Sequence, residues 1–166
     1  EQGDRDPFRS FEMGDVLAEK VELLKTAIDE SGTSVEIEGM LPAVHGDQGE
    51  ISQVVQNLLS NAIKYRGEAS PVIAVSSAES ADGRFWTFSV SDNGIGIPGE
   101  HLEEVFQPFR RLHGTGSEYK GSGVGLAICQ KVIERHGGAI WVESEEGVGS
   151  TFHFTIAKPT EANSVR

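Results

Sequence analysis

Four apolar residues near the start of the chain, Leu17, Val21, Leu24 and Ile28, recur three and four positions apart, and Gly32 lies just past the last of them. That spacing puts them on one face of a helix, which a glycine is well suited to end. The stretch SVEIEG then alternates apolar and polar like a half-buried strand. Asp47 followed by Glu50 is a capping-box pattern, and a helix is predicted from there to about Tyr65. On it Ile51, Val54, Val55, Leu58, Leu59 and Ala62 fill one arc. VIAVSSA and RFWTFSVSD read as strands joined by a turn at Asp82-Gly83. A short helix follows Pro98, and a Gly-rich, weakly apolar segment spans about Leu112 to Ser122. GVGLAICQKVIERHGG is a helix that stops at Gly137, and AIWVES and TFHFTIA alternate again around the turn EEGVGS. Strands cluster beside helices without regular βαβ alternation. The fold class expected is α+β: a sandwich with helices on one face of a mostly antiparallel sheet.

Composition narrows the picture. A chain of 166 residues is most simply one domain with a sizeable core. Its 14 basic and 26 acidic residues give a net charge of -12, which opposes binding to nucleic acid or to an anionic membrane surface. The single cysteine, Cys129, allows no disulfide within the chain, and its neighbours Leu126, Ala127, Val132 and Ile133 suggest a buried thiol. No apolar run approaches the ~20 residues of a membrane span, and the start does not read as a signal peptide. A soluble, reducing, cytoplasmic setting is expected. Residues 1–10 are polar, broken by Pro7, and read as a linker or the stump of an upstream helix; residues 158–166 read as a flexible tail.

The candidate chemistry begins at FSVSDNGIGIPG. Trp86, Phe88, Val90 and Asp92 share one face of their strand, so a carboxylate ends a core face. It is costly there unless something donates hydrogen bonds to it. Either Asp92 caps the next turn through the amides of Gly94 or Ile95, or it awaits a ligand with an amino group, Gly94 and Gly96 letting backbone come close. On the long helix Gln53, Asn57, Asn61 and Lys64 form a stripe beside the apolar arc. It is a solvated face, or, asparagine being a poor residue for a helix interior, a set of amide oxygens and a cation suited to a hydrated Mg²⁺ and a phosphate oxygen. In YKGSGVGLAI the glycines Gly121, Gly123 and Gly125 alternate ahead of a helix. They serve turns in a loop, or they bare backbone N–H groups to phosphate. The spacing is neither that of a Rossmann turn nor that of a P-loop. Phe106 and Phe109 suit a core, whereas Arg110, Arg111, Lys120 and Lys64 are the cations an acidic chain needs to admit a polyanion such as ATP, under a Gly-rich lid.

The order of the motifs is more telling than any one of them. N-x-x-x-N-A-x-K-Y, D-x-G-x-G, F-x-x-F-R, G-x-G-x-G-L and G-x-G-S-x-F, over about residues 11–157, resemble the catalytic, ATP-binding domain of sensor histidine kinases. That family shares the Bergerat fold with gyrase, the heat-shock chaperone ATPases and the mismatch-repair ATPases. The resemblance implies a two-layer sandwich, about five strands under about three helices, with ATP and Mg²⁺ as cofactors. It implies that Asp92 accepts from the adenine amine while Gly94 and Gly96 hinge a lid. Asn61, with Asn57 beside it, matches the Mg²⁺-binding asparagines, Lys64 a phosphate contact, and Tyr65 a residue beside adenine or ribose. Ile97 and Leu126 would line the adenine slot. Gly121, Gly123 and Gly125, with Lys120, Ser122 and Val124 in the same loop, match the phosphate surround; Arg110 and Arg111 belong to the lid. Thr151, after GVGS, matches a position close to Asp92.

The implied activity is transfer of the ATP γ-phosphoryl group to a histidine on a separate helical dimerisation domain of the parent kinase, with the receiver domain of a response regulator as the next partner. The departures are small: Gln53 stands where the family often has a charged or polar residue, and Val124 where Leu is commoner. The gyrase and chaperone branch carries a glutamate base on the long helix. Here the comparable stretch offers Gln53 and Asn57, with Glu50 only at the helix start, so hydrolysis is expected to be poor. None of His45, His101, His113, His136 and His153 stands in an acceptor-like context, and each is read as structural or surface. Two alternatives stay open: a stand-alone kinase or ATPase of this fold acting on another residue, as the anti-sigma-factor serine kinases do, and a degenerate nucleotide-binding module used for interaction.

Overall fold

The computed structural model describes residues 6–107 and 125–159. In chain order these form β1 (Phe8–Glu12), α1 (Met13–Leu23), α2 (Lys25–Ser31), β2 (Ser34–Ile37), β3 (Ala43–Asp47), α3 (Gln48–Lys64), β4 (Val72–Glu79), β5 (Phe85–Asp92), a 3-10 helix at Gly99–Glu104, α4 (Gly125–Arg135), β6 (Ile140–Glu145) and β7 (Gly149–Ala157). Five strands make one sheet in the order β2-β4-β5-β7-β6, parallel between β2 and β4 and antiparallel elsewhere. The register explains why the sequence alternates. Val75, Val90, Phe152 and Val142 are neighbours across four strands; the first three are buried on the face that receives the helices, and Val142 is half-buried there. On that face Phe88 stacks on Phe154, ring centroids 5.5 Å apart. The opposite face is polar: the Ser89 hydroxyl and the Glu143 carboxylate each lie 2.7 Å from a ring nitrogen of His153, and Trp141 stacks on that imidazole. The α+β expectation holds.

Helix α3 carries the core. Ile51, Val54, Leu58 and Leu59 are almost fully buried, each worth at most about 1.5–3 kcal/mol relative to exposure. Its start shows how a local signal and a tertiary contact share one task. Asp47 Oδ1 accepts from the Glu50 N–H at 3.2 Å, as the capping pattern predicts. Glu50, however, does not reach back to the cap: its carboxylate pairs with Arg135 of α4 at 2.9 Å. The Asp47 N–H donates instead to His136 Nε2 at 3.0 Å, and the other ring nitrogen of His136 lies 2.8 Å from the Val132 carbonyl. Cys129 is fully buried, and burial pushes its thiol pKa up to about 12, as a structural thiol requires.

Three features differ from the reading of the sequence. Residues 8–10, taken as linker, belong to β1, which pairs antiparallel with β3, itself not anticipated. The reason is tertiary: Phe8 stacks on His136 at 4.6 Å, 128 positions away in the chain, and Phe11 is buried. The first predicted helix is two, α1 and α2, broken at Leu24 (φ −94°, ψ 14°), although the bonds Leu24 N–H to Lys20 O and Ile28 N–H to Leu24 O bridge the break. Lys158, assigned to the tail, is held: its N–H donates to Arg84 O at 3.0 Å, and its ammonium pairs with Glu79 and lies over Trp86.

Candidate functional site

At one end of the sheet the apolar rows give way to a polar one. Beside the row Val75–Val90–Phe152–Val142 runs Ile73–Asp92–Ser150–Ser144, one residue from each of four strands. The loop after Asp92 then uses each of its residues. Asp92 Oδ1 accepts from the Gly94 N–H at 2.8 Å and the Ser150 N–H at 3.3 Å. Asn93 pins the approach to β4, accepting from the Val72 N–H at 2.9 Å and donating to Ser70 O at 3.1 Å. A Cβ on Gly94 would stand 2.4 Å from the Tyr65 carbonyl, and one on Gly96, at φ 75°, would stand 2.2 Å from that of Glu145. The Ile95 N–H donates to Tyr65 O, and its carbonyl accepts from Gly147 N–H at 2.7 Å. Glycine is therefore required because the loop is clamped between the end of α3 and the β6–β7 turn.

The two oxygens of Asp92 differ. Oδ1 caps the turn. Among the described residues Oδ2 receives no hydrogen bond. Asp92 faces a pocket with Asn61 and Tyr65 of α3 on one side, Gly96 and Ile97 on another, and Ser150 and Phe152 of β7 behind. Burial raises the Asp92 pKa, opposed in part by the amides of Gly94 and Ser150. An acceptor so placed gains from any donor that enters the pocket. Ile97 and Phe152 are buried apolar walls beside it. An open acceptor beside apolar walls suits a ligand that carries a donor on an apolar body.

The structure brings Asn61, Tyr65, Asp92, Gly96 and Ile97 together around this pocket. Gly94 holds the loop from behind. Asn57, one turn before Asn61, spends its amide on α4: Nδ2 donates to Gly125 O at 3.2 Å. It thus ties the long helix to the first residue of α4, where Leu126 packs half-buried against the core. The Lys64 ammonium lies 5.9 Å from the Tyr65 ring centroid. Thr151 is misplaced by the reading of the sequence. It pairs with Ser91, their hydroxyls 2.8 Å apart, on the sheet face opposite Asp92. The residue beside Asp92 is Ser150, and strand alternation was the signal: Ser150, Phe152 and Phe154 share the buried face. Ser150, Phe152 and Ser144 were all missed. Arg110, Arg111, Lys120, Gly121, Ser122, Gly123 and Val124 lie outside the described residues, as do Phe109 and His113.

Comparison with known proteins agrees with this geometry. Residues 46–160 match the family described as "Histidine kinase-, DNA gyrase B-, and HSP90-like ATPase". The phytochrome-like protein Cph1 of Synechocystis sp. is 51% identical over 133 residues, 80% of this chain and 17% of that protein. The catalytic domain of the histidine kinase ThkA superposes with a TM-score of 0.75 at 34% identity, covering 91% of this chain and 95% of that one. ThkA in complex with the response regulator protein TrrA gives a TM-score of 0.73 at 31% identity, over 91% of this chain and 42% of that one. The chain spans less than a fifth of the length of the first curated relatives it matches.

Proposed function

From the chain's membership of the histidine kinase-, DNA gyrase B- and HSP90-like ATPase family, we propose that it is the ATP-binding catalytic domain of a sensor histidine kinase, transferring the γ-phosphoryl group to a histidine on a separate helical domain of its parent. One observation carries the reading: Asp92 Oδ2, free of bonds among the described residues, faces a pocket between Ile97 and Phe152 with Asn61 on its wall. Adenine would be read there by its exocyclic amine donating to Oδ2. Asn61 would hold Mg²⁺ through its amide oxygen, with Asn57 beside it setting the start of α4, and Lys64 would contact phosphate. Mg²⁺ bound there supplies charge neutralisation to the phosphates. The chain's own residues orient the nucleotide and exclude water from the base.

Among the described residues, none is placed to activate water. Asp92 is the sole carboxylate lining the pocket among the described residues, and its place is against the base. Glu50, at the start of α3, is paired with Arg135. An imidazole is already a nucleophile and needs little base help. The likeness to ThkA, whose complex with the response regulator protein TrrA is among the solved structures, supports a receiver domain as the partner downstream of the phosphorylated histidine. A cytoplasmic site of action fits this reading; among the described residues no helix is long and apolar enough to cross a membrane.

The test is γ-labelled ATP with the chain alone and with the acceptor helical hairpin of its parent kinase. Expected are ATP binding and slow hydrolysis alone, and acid-labile label on the hairpin when it is added. Acid-stable label, or rapid labelling of the chain itself, would move the reading to the serine-kinase branch; no ATP binding at all would leave only the interaction module.

A further inference from the structure

The polar row that ends the sheet does not stop at Asp92 and Ser150. Ser144 of β6 completes it, and no role in the reading above is assigned to it. Its hydroxyl has three partners. It accepts from the Ile97 N–H at 2.7 Å, donates to Gly149 O at 3.0 Å, and lies 2.7 Å from Ser150 Oγ. Two of these partners, Ile97 and Ser150, form different walls of the same pocket. The Ser150 N–H in turn donates to Asp92 Oδ1. One side chain therefore ties the loop wall to the strand wall.

We propose that Ser144 is a positioning residue for the nucleobase pocket: through one hydroxyl it sets the distance between Ile97 and the Ser150–Asp92 edge, and it sets which way Ser150 presents its proton. The proton count makes the second point. Ser144 has a single hydroxyl hydrogen. When that hydrogen goes to Gly149 O, the bond with Ser150 is completed by the Ser150 hydrogen, so Ser150 turns its lone pairs to the pocket beside Asp92 Oδ2. Two acceptors then face one entering group, which suits an amine with two N–H bonds and rejects a carbonyl. Removing the Ser144 hydroxyl releases the Ser150 hydrogen to rotate, and orphans the Ile97 N–H that holds the loop. The clamp on Ile97 and the crowding of Gly96 against Glu145 act on adjacent residues. Backbone packing alone thus brings the loop near β6, and Ser144 specifies its final position.

This inference rests on the proposal that the pocket takes a nucleotide base. The experiment uses the 166-residue chain and measures ATP, adenosine and ITP affinity by calorimetry for wild type, Ser144→Ala and Ser144→Thr. ITP carries a carbonyl where ATP carries the amine. Expected for Ser144→Ala is an ATP affinity lowered about tenfold, the loss of roughly one hydrogen bond. Adenosine should fall by the same factor, the preference for ATP over ITP should narrow, and Ser144→Thr should restore both. An ATP affinity within twofold of wild type overturns the proposal. So does an equal loss for ATP and ITP, which would mark a general loosening of the fold. If Ser144→Ala fails to fold, Ser144→Cys, which keeps a weak donor on a larger atom, is read against the same two criteria. Wild type binding neither ATP nor adenosine would overturn the nucleotide reading itself, and this inference with it; wild type binding both, with Ser144→Ala unchanged, overturns the inference alone.

Discussion

Asp92 spends one oxygen on the turn and leaves the other without a hydrogen bond among the described residues, and that division makes its substitution informative. Asn at position 92 keeps an acceptor for the Gly94 and Ser150 amides but can present a second donor to the pocket. Asp92→Asn is therefore expected to fold normally and to lose at least about tenfold in ATP affinity, as for a hydrogen bond to a charged group worth roughly 1.5–3 kcal/mol. The pH dependence has a definite sign. Burial raises the Asp92 pKa in the folded state, so its contribution to stability is present while it is protonated and is lost as pH rises through that raised value. The melting temperature of Asp92→Asn should match wild type in acid and exceed it at neutral pH; a gap that is widest in acid would refute the buried charge. Asn61→Ala should leave metal-free ADP binding nearly unchanged while removing the Mg²⁺ dependence of ATP binding; titrating ATP with and without Mg²⁺ checks this. Gly96→Ala should destabilise by about 1–3 kcal/mol for its positive φ alone, with more from the 2.2 Å approach to Glu145 O, as read by urea denaturation.

Between elements, the decisive joint is where α3, α4 and the β1–β3 pair meet. His136 binds the Asp47 N–H and lies against the Val132 carbonyl, Phe8 stacks on its ring, and Arg135 bridges Asp47 and Glu50. The salt bridges are half exposed and add little; the buried imidazole adds more. His136→Ala would orphan the helix-cap amide and open a cavity. It should cost about 2–4 kcal/mol in urea denaturation, whereas Arg135→Ala should cost about 1 kcal/mol or less. Asn57 makes the second joint, holding the first residue of α4 at Gly125. It links the helix that carries Asn61 to the helix that begins directly after the glycine-rich segment.

At the scale of the whole molecule, the question is whether the chain can label itself. Both ring nitrogens of His136 and of His153 lie at hydrogen-bonding distance from partners, and His101 sits between Glu100 and Glu104 at 3.6 Å from each. An imidazole so engaged, or so flanked by carboxylates, is a poor attacker of a triphosphate. Radiolabel from γ-labelled ATP should therefore not accumulate on His101, His136 or His153 of the isolated chain. The net charge of -12 adds a general prediction. Self-repulsion opposes the compact state and is screened by salt, so the melting temperature should rise as a non-binding salt is added from low ionic strength.

Local pattern was enough for the parts of this protein that local forces make. The period of the apolar residues placed α3, α4 and all five strands of the main sheet. Asp47 marked the start of α3 because a cap needs only four consecutive residues. The ordered motifs pointed to a nucleotide through their resemblance to a family; taken singly, a carboxylate ending a core strand and asparagines one turn apart in a helix left a cap and a solvated face as equal readings. What distance along the chain separates, only the folded structure could decide. β1 exists because Phe8 meets His136, and no window of sequence contains both. Gly94 and Gly96 read as room for a ligand, yet the atoms that require them are the carbonyls of Tyr65 and Glu145. Thr151 and Ser150 are neighbours in the sequence and on opposite faces of a strand. Pairing with β5 and β6 chose between them, because a shift of one residue in register exchanges the faces of a strand.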